Sequence, residues 1–166
     1  MDTWLAVGSK RDIRRYSDEP IPSEVVTRIL DAGRLAGSAK NRQPWKFVVV
    51  GDPALKNQLA ETVYAPGNVR GATLVVVVLG KASLDVGRAV QNMLLVAWND
   101  GVVSSPNGMP DSARTGEILG LGEDESVAIV LSFGYPQRAL NPERRSPEEW
   151  SAKANRKPLD EIVRRL

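Results

Sequence analysis

The sequence predicts an α+β fold in which helices pack on a central sheet of about four or five strands. Three observations lead to this prediction. Short β-branched runs are typical of strands, longer stretches with apolar residues every three or four positions are typical of helices, and the two kinds of element do not alternate regularly. With 166 residues, of which 42% are apolar and 25% charged, we expect a single domain spanning residues 1–166.

The first predicted helix follows two prolines. Ser23 is a favourable N-cap residue, and Glu24 places a negative charge in the first turn, where the helix dipole favours it. The helix is expected to fade at Gly37, and its apolar face is formed by Val25, Ile29, Ala32 or Gly33, and Ala36.

Two elements follow in quick succession. The β-branched run Phe47–Val50 predicts a buried strand. Asp52 then caps a short helix that starts at Pro53 and carries Leu55 and Leu59 one turn apart.

The middle of the chain contains its most apolar segments. Leu74–Leu79 is an unbroken apolar run, which predicts a strand covered on both faces. Leu84–Asn99 has a wide apolar face at helical spacing and is expected to end before Gly101.

The remaining segments are shorter. The composition of residues 102–110, rich in Ser, Pro, Asn and Gly, predicts a loop. A short helix over Ala113–Leu119, a strand over Val127–Phe133, a turn at residues 134–136 and a charged tail ending in Ile162–Leu166 complete the prediction.

The chain contains no histidine and no cysteine. This absence excludes Ser-His-Asp and Cys-His nucleophiles, thiol redox chemistry and zinc sites that use His or Cys, so we predict no metal site. The lack of cysteine favours a reducing compartment, and we expect a cytoplasmic protein. Residues 1–9 do not match a secretory signal.

The net charge, the aromatic content, the length of the apolar runs and the absence of nucleotide-binding motifs exclude further functional classes. The net charge is only +2 and 5% of the residues are aromatic, so we predict no nucleic-acid partner. The longest apolar run has six residues, whereas a membrane helix needs roughly 20, so we predict no membrane partner. Neither the Rossmann glycine fingerprint nor a P-loop occurs.

Four polar segments are candidates for binding. The first contains Lys10, Arg11 and Arg14, whose side chains could clamp a phosphate. Its alternative interpretation is a solvated basic stretch paired with Asp12 and Asp18.

The second segment, residues 38–45, contains the amides of Asn41 and Gln43, which suit a heterocycle edge or a polyol; the alternative is a helix end followed by a turn. In the third, Ser105-Pro106-Asn107-Gly108, the backbone amides could be held in place, or the segment could be a simple turn. The fourth, residues 155–161, is either a binding segment or a basic tail.

Together, these segments resemble the FMN-dependent nitroreductase family. The resemblance rests on K-R-D-I-R-R-Y-S-D at residues 10–18, S-A-K-N-R-Q-P-W-K-F-V-V-V at 38–50, the helix over 85–98, G-Y-P at 134–136, and R-K-P-L-D-E-I-V at 156–163. It covers nearly the whole chain.

The resemblance implies a three-layer α+β fold with a central, mostly antiparallel sheet flanked by helices. It also implies a homodimer that exchanges its C-terminal segments, so residues 150–166 would form a swapped tail, with FMN bound at the interface.

Residue by residue, the resemblance assigns the FMN phosphate to Lys10, Arg11 and Arg14, with Asp12 in the same segment, and to Arg156 and Lys157. It assigns the ribityl chain and the flavin edge to Ser38, Asn41 and Gln43 of the partner chain. The backbone of Pro106, Asn107 and Gly108 would approach the flavin ring nitrogen that accepts hydride. Asn68 or Arg70 would reach the flavin pyrimidine.

The implied activity is an FMN-dependent NAD(P)H oxidoreductase that reduces nitroaromatics, quinones or similar small electron-poor acceptors by ping-pong hydride transfer. No catalytic side chain is needed, since the flavin carries the chemistry. A flavin-binding protein without turnover is an alternative. A flavin-fragmenting benzimidazole synthase is another, because Asp12 stands where the family commonly has Ser.

Overall fold

A computed structural model describes all residues from 1 to 166. The chain divides into two compact units, one formed by Met1–Lys10 with Leu140–Leu166 and the other by Arg11–Ala139. The helices are α1 (Thr3–Ser9), α2 (Ser23–Arg34), α3 (Pro53–Ala60), α4 (Pro66–Arg70), α5 (Leu84–Asn99), α6 (Ser112–Leu119), α7 (Pro147–Lys153) and α8 (Leu159–Ile162).

The larger unit contains one four-stranded sheet. Its strands are β1 (Lys46–Val50), β2 (Leu74–Leu79), β3 (Val103–Asn107) and β4 (Val127–Gly134), and their order in the sheet is β1-β2-β4-β3. All three pairings are antiparallel, and Ser105 on β3 lies directly opposite Ser132 on β4. The predicted α+β architecture with a mainly antiparallel sheet is therefore confirmed.

One face of the sheet packs on α2 and α5. Alternate residues of a strand point to opposite faces, so every second residue of β2 and β4 joins this core. The main cluster contains Val25, Ile29, Leu74, Val76, Val78, Val86, Met93, Leu94, Ala97, Leu131 and Phe133. The predicted helix over Leu84–Asn99 and the predicted strand over Leu74–Leu79, which is buried throughout, are both confirmed.

The opposite face is covered by α3, α4 and α6, which bury Leu59, Val69 and Thr115. Asp52 caps α3 as predicted, since its carboxylate accepts from the N–H of Ala54 at 2.8 Å. The sheet thus lies between two helical layers within this unit.

Three sequence predictions are wrong in detail. Residues 102–110 were expected to be a loop, but Val103–Asn107 is a strand because it pairs with β4 along its length. The strand over 47–50 is not fully buried, since β1 is at the sheet edge and Val49 is 46% exposed. Ser23 is not the N-cap of α2, because the Pro22 carbonyl already accepts from the two N–H groups at 25 and 26.

The smaller unit contains α1, α7 and α8. Ser146 and Glu149 form a reciprocal capping box at the start of α7. Trp4 on α1 donates from Nε1 to Oε1 of Glu148 at 3.1 Å, and this hydrogen bond lowers the pKa of Glu148. No helix of either unit is long and apolar enough to cross a bilayer.

Candidate functional site

A cleft of about 480 Å³ lies within the larger unit, on the sheet face opposite α2 and α5. Three separate parts of the chain form it: the stretch before α2, the start of α4 and the end of β3. The lining residues are Arg14, Tyr64, Ala65, Asn68, Pro106, Asn107 and Gly108. The structure thus brings together five predicted site residues: Arg14, Asn68, Pro106, Asn107 and Gly108.

Arg14 supplies the positive charge of the cleft. Its Nε donates to Oγ of Ser105 at 3.1 Å, and Ser105 is fully buried in β3. The segment is also tied to β3 through the backbone, because the N–H of Ile13 donates to the carbonyl of Ser104 at 3.2 Å. A guanidinium that is held in this way loses less freedom when it binds an anion.

Asn107 is the hydrogen-bonding centre beneath the cleft and is only 4% exposed. Its Nδ2 lies 3.1 Å from each of three acceptors, namely the carbonyls of Ser105 and Val130 and Oγ of Ser132. Its Oδ1 accepts from Nδ2 of Asn68 at 3.0 Å. Every polar atom of this buried amide is therefore satisfied, as a buried polar group requires.

The hydrogen bonds continue to Tyr16, whose hydroxyl lies 2.8 Å from Oγ of Ser132. Tyr16 is 6% exposed, and burial raises its pKa above the ordinary value of 10.0, although the hydrogen bond to Ser132 and the charge of Arg14 oppose this. The ring packs against Gly134, where an added Cβ would approach the Tyr16 side chain to 2.8 Å. The phenol thus stays protonated and in place.

Tyr64 forms the mouth of the cleft. Its backbone N–H donates to the Gly108 carbonyl at 3.0 Å, and an added Cβ on Gly108 would lie 3.3 Å from the Tyr64 ring. The tyrosine side chain itself is 74% exposed. Glycine at 108 therefore allows an aromatic ring to lie against the backbone at this edge.

The turn that contains Ser38, Asn41 and Gln43 is not part of this cleft. Oγ of Ser38 accepts from the N–H of Gln43 at 2.8 Å, and Asn41 and Gln43 have positive φ angles of 54° and 48°. Gln43 lines another cleft, of about 330 Å³, beside Gly80. At Gly80 (φ +129°) a Cβ would come within 2.3 Å of the Pro44 carbonyl oxygen, so only glycine fits there.

The remaining predicted residues lie outside the lining of the 480 Å³ cleft. Arg11 is half-buried, Asp12 forms an isolated parallel bridge with Ser104, and Arg70 is ion-paired with Glu61.

The other three belong to the smaller unit. Lys10 is the C-cap of α1, and its N–H donates to the Ala6 carbonyl at 3.0 Å. Arg156 and Lys157 are exposed between α7 and α8.

Sequence reasoning did not single out Tyr16, Tyr64, Ala65 or Ser132, and it named Ser105 only as part of the third candidate segment, without a role for its hydroxyl. One of them leaves a signal, because Ser132 is a small polar residue within the otherwise apolar run of β4. Tyr64 stands in a polar stretch without periodicity and has no such signal.

Comparisons with known proteins point to one family. The model of the Nitroreductase family matches residues 7–81 and 70–135. An Archaeoglobus fulgidus protein with the provisional name NADH dehydrogenase/NAD(P)H nitroreductase is 33% identical, over 86% of this chain and 95% of its own length. An iodotyrosine deiodinase of Hydra vulgaris is 31% identical, over 98% of this chain and 72% of its own length.

A solved structure agrees with these matches. A provisionally named nitroreductase from Desulfovibrio desulfuricans, crystallised with FMN, is 30% identical and superimposes with a TM-score of 0.82. The match covers 98% of this chain and 96% of the Desulfovibrio chain.

Proposed function

This chain belongs to the Nitroreductase family, and from that premise we propose that it is an FMN-dependent NAD(P)H oxidoreductase. Its substrates would be small electron-poor acceptors such as nitroaromatics or quinones. The names of the Archaeoglobus relative and the FMN bound to the Desulfovibrio structure support the proposal.

The cleft is the observation that supports this proposal best. An anchored arginine, an asparagine amide and the backbone at residues 106–108 line one cleft of about 480 Å³. A flavin mononucleotide combines an anionic phosphate with a ring edge of alternating donors and acceptors. The donor set of the cleft fits both parts, because guanidinium binds phosphate and amides pair with ring edges.

In the proposed complex Arg14 would bind negative charge, and Ser105 would hold its guanidinium in place. The backbone of residues 106–108 would line the ring, and the N–H of Gly108 would lie where negative charge develops during reduction, since Pro106 has no N–H. Asn68 would bind the ring edge. When bound, FMN supplies the hydride transfer between NAD(P)H and the acceptor.

Protons are the other requirement of the reaction. The chain has no imidazole, and the one phenol buried behind the cleft has a raised pKa. We therefore assign the proton of the reduced acceptor to water. A cytoplasmic location, where reduced nicotinamides are available, belongs to the same proposal.

The test is direct. The purified protein is incubated with FMN, desalted, and measured for flavin absorbance and for bleaching by NADH or NADPH without oxygen. We expect about one FMN per chain and bleaching by at least one donor. A protein that stays colourless contradicts the proposal, and a yellow protein that neither donor reduces is a flavin-binding protein without turnover.

The C-terminal stretch supports a homodimer, which we include in the proposal. In α8 and the residues after it, Leu159 is 74%, Ile162 63% and Leu166 105% exposed, although all three are strongly apolar. Contiguous exposed apolar side chains are typical of surfaces that a partner covers. A tail of residues 150–166 exchanged between two copies of a single 1–166 domain would bury them.

A further inference from the structure

A chain of hydrogen bonds leads from the cleft into the sheet. It starts at Asn68, which is half-buried, and passes through Asn107 and Ser132 to Tyr16, with heavy-atom distances of 3.0, 3.1 and 2.8 Å. The last three residues are at most 6% exposed. Of these four side chains, only that of Asn68 is therefore exposed enough to contact a ligand, and the other three side chains lie behind it.

The chemistry of Asn107 fixes the direction of these bonds. Its Nδ2 faces the backbone carbonyls of Ser105 and Val130, which can only accept. If the amide were reversed, its Oδ1 would face two carbonyl oxygens. Oδ1 must therefore point to Asn68, and Asn68 must turn its Nδ2 toward Asn107.

The direction of the hydrogen bond between Tyr16 and Ser132 is fixed in the same way. Oγ of Ser132 donates to the Ser105 carbonyl at 3.2 Å, so Tyr16 supplies the proton of the Tyr16–Ser132 bond. The raised pKa of Tyr16 keeps that proton on the phenol. If the phenol is removed, a buried hydroxyl loses a donor, and the arrangement around Asn107 loses one of its supports.

We propose that Asn107, Ser132 and Tyr16 are positioning residues, which hold the Asn68 amide so that its Oδ1 is offered to an N–H donor on the ligand ring. This inference rests on the proposed function. In FMN, the corresponding donor is the imide N–H of the pyrimidine ring. The hydrogen bonds would thus select a ring that donates at this edge over one that cannot.

The test compares two probes, FMN and FMN methylated at its imide nitrogen, by their dissociation constants for the refolded or native apoprotein. The wild type should prefer FMN by about tenfold, the value of one hydrogen bond. Asn68→Leu has no acceptor at this position, so its ratio of the two dissociation constants is the reference value without this hydrogen bond. Asn107→Leu and Tyr16→Phe should both reduce the preference for FMN over methylated FMN toward the value for Asn68→Leu. For Tyr16→Phe the expected reduction is about threefold.

Tyr135→Phe is the matched control, because it makes the same chemical change outside these hydrogen bonds, and it should keep the wild-type ratio. Thermal melting checks that each variant folds. Tyr16→Phe keeps the aromatic ring against Gly134, so the test remains decisive even if Asn107→Leu does not fold.

The outcomes are distinguishable. A wild type that binds neither probe overturns the proposed function and this inference with it. A wild type that binds both equally overturns the inference alone. The inference alone is also overturned if Tyr16→Phe weakens the binding of both probes by the same factor and leaves the ratio of their dissociation constants unchanged. That result is expected when Tyr16 has a purely structural role.

Discussion

The two faces of the central sheet differ in what they bury. Toward α2 and α5, β4 presents Leu131 and Phe133, both fully buried in an apolar cluster. Toward the cleft, the same strand presents Ser132, which is equally buried but has hydrogen bonds to Tyr16 and Asn107. Apolar burial provides most of the stability of a fold, whereas satisfied polar groups provide geometry at a smaller net gain. The α2–α5 face is thus apolar, whereas the cleft face, which also buries Val75, Val77 and Val130, combines apolar burial with the polar groups that would position a ligand.

The largest expected effect is on the apolar face. Phe133→Ala should lower the free energy of unfolding by about 3–5 kcal/mol, because it removes a fully buried ring and leaves a cavity. Urea denaturation measures this loss. The FMN affinity of the fraction that remains folded should stay near that of the wild type, and a large loss of that affinity would contradict this difference between the two faces.

Arg14→Ala tests the cleft side. It should weaken FMN binding by about 1.5–3 kcal/mol, the value of a charge-assisted hydrogen bond, and change the unfolding free energy little, since Arg14 is exposed. Calorimetric titration with FMN gives the affinity. Arg114→Ala, which removes an exposed arginine of α6, is the matched control and should bind FMN normally. Equal affinities of the two variants would show that the phosphate is bound elsewhere.

Tyr16→Phe should cost about 1 kcal/mol of stability at neutral pH, because one buried hydrogen bond to Ser132 is lost. Burial holds the folded pKa of Tyr16 above 10.0, so its contribution is fully present below pH 10 and is lost as the pH rises through the folded pKa. Denaturation between pH 8 and about 11 should show a steeper alkaline decline for the wild type than for Tyr16→Phe. Parallel curves would mean that Tyr16 is not linked to folding.

The smallest effect concerns the tail. Deleting residues 159–166 removes α8, which buries no residue in the single chain, so the melting temperature of the remaining chain at low concentration should change by only a few degrees. Light scattering after gel filtration should show a monomer if the tail joins two copies. A truncated protein that is still dimeric and still binds FMN would contradict the exchanged tail.

The fold could be predicted best where local pattern decides it. The apolar run of β2 and the wide apolar face of α5 are determined by their own residues, and both were placed correctly. β3 was not, because Ser, Pro and Asn favour turns locally, and only pairing with a strand more than 20 residues away makes the segment extended.

The candidate site could likewise be predicted only in part. The family resemblance pointed to Arg14, Asn68 and residues 106–108, and the structure brings them to one cleft. The contacts of Tyr16 with Ser132 join positions 116 residues apart, and no spacing along the sequence indicates them. Whether the other predicted residues, such as Arg156, contact FMN stays a prediction.

The most direct test of the central claim is to map FMN binding on the isotope-labelled apoprotein by NMR. If the cleft between Arg14, Asn68 and Gly108 holds the flavin, their amide signals should shift in proportion to bound FMN, together with that of Tyr64. Signals of the α2–α5 face, such as Ile29 and Met93, should stay unchanged. Saturable binding that leaves the Asn68 and Gly108 signals in place would contradict the account.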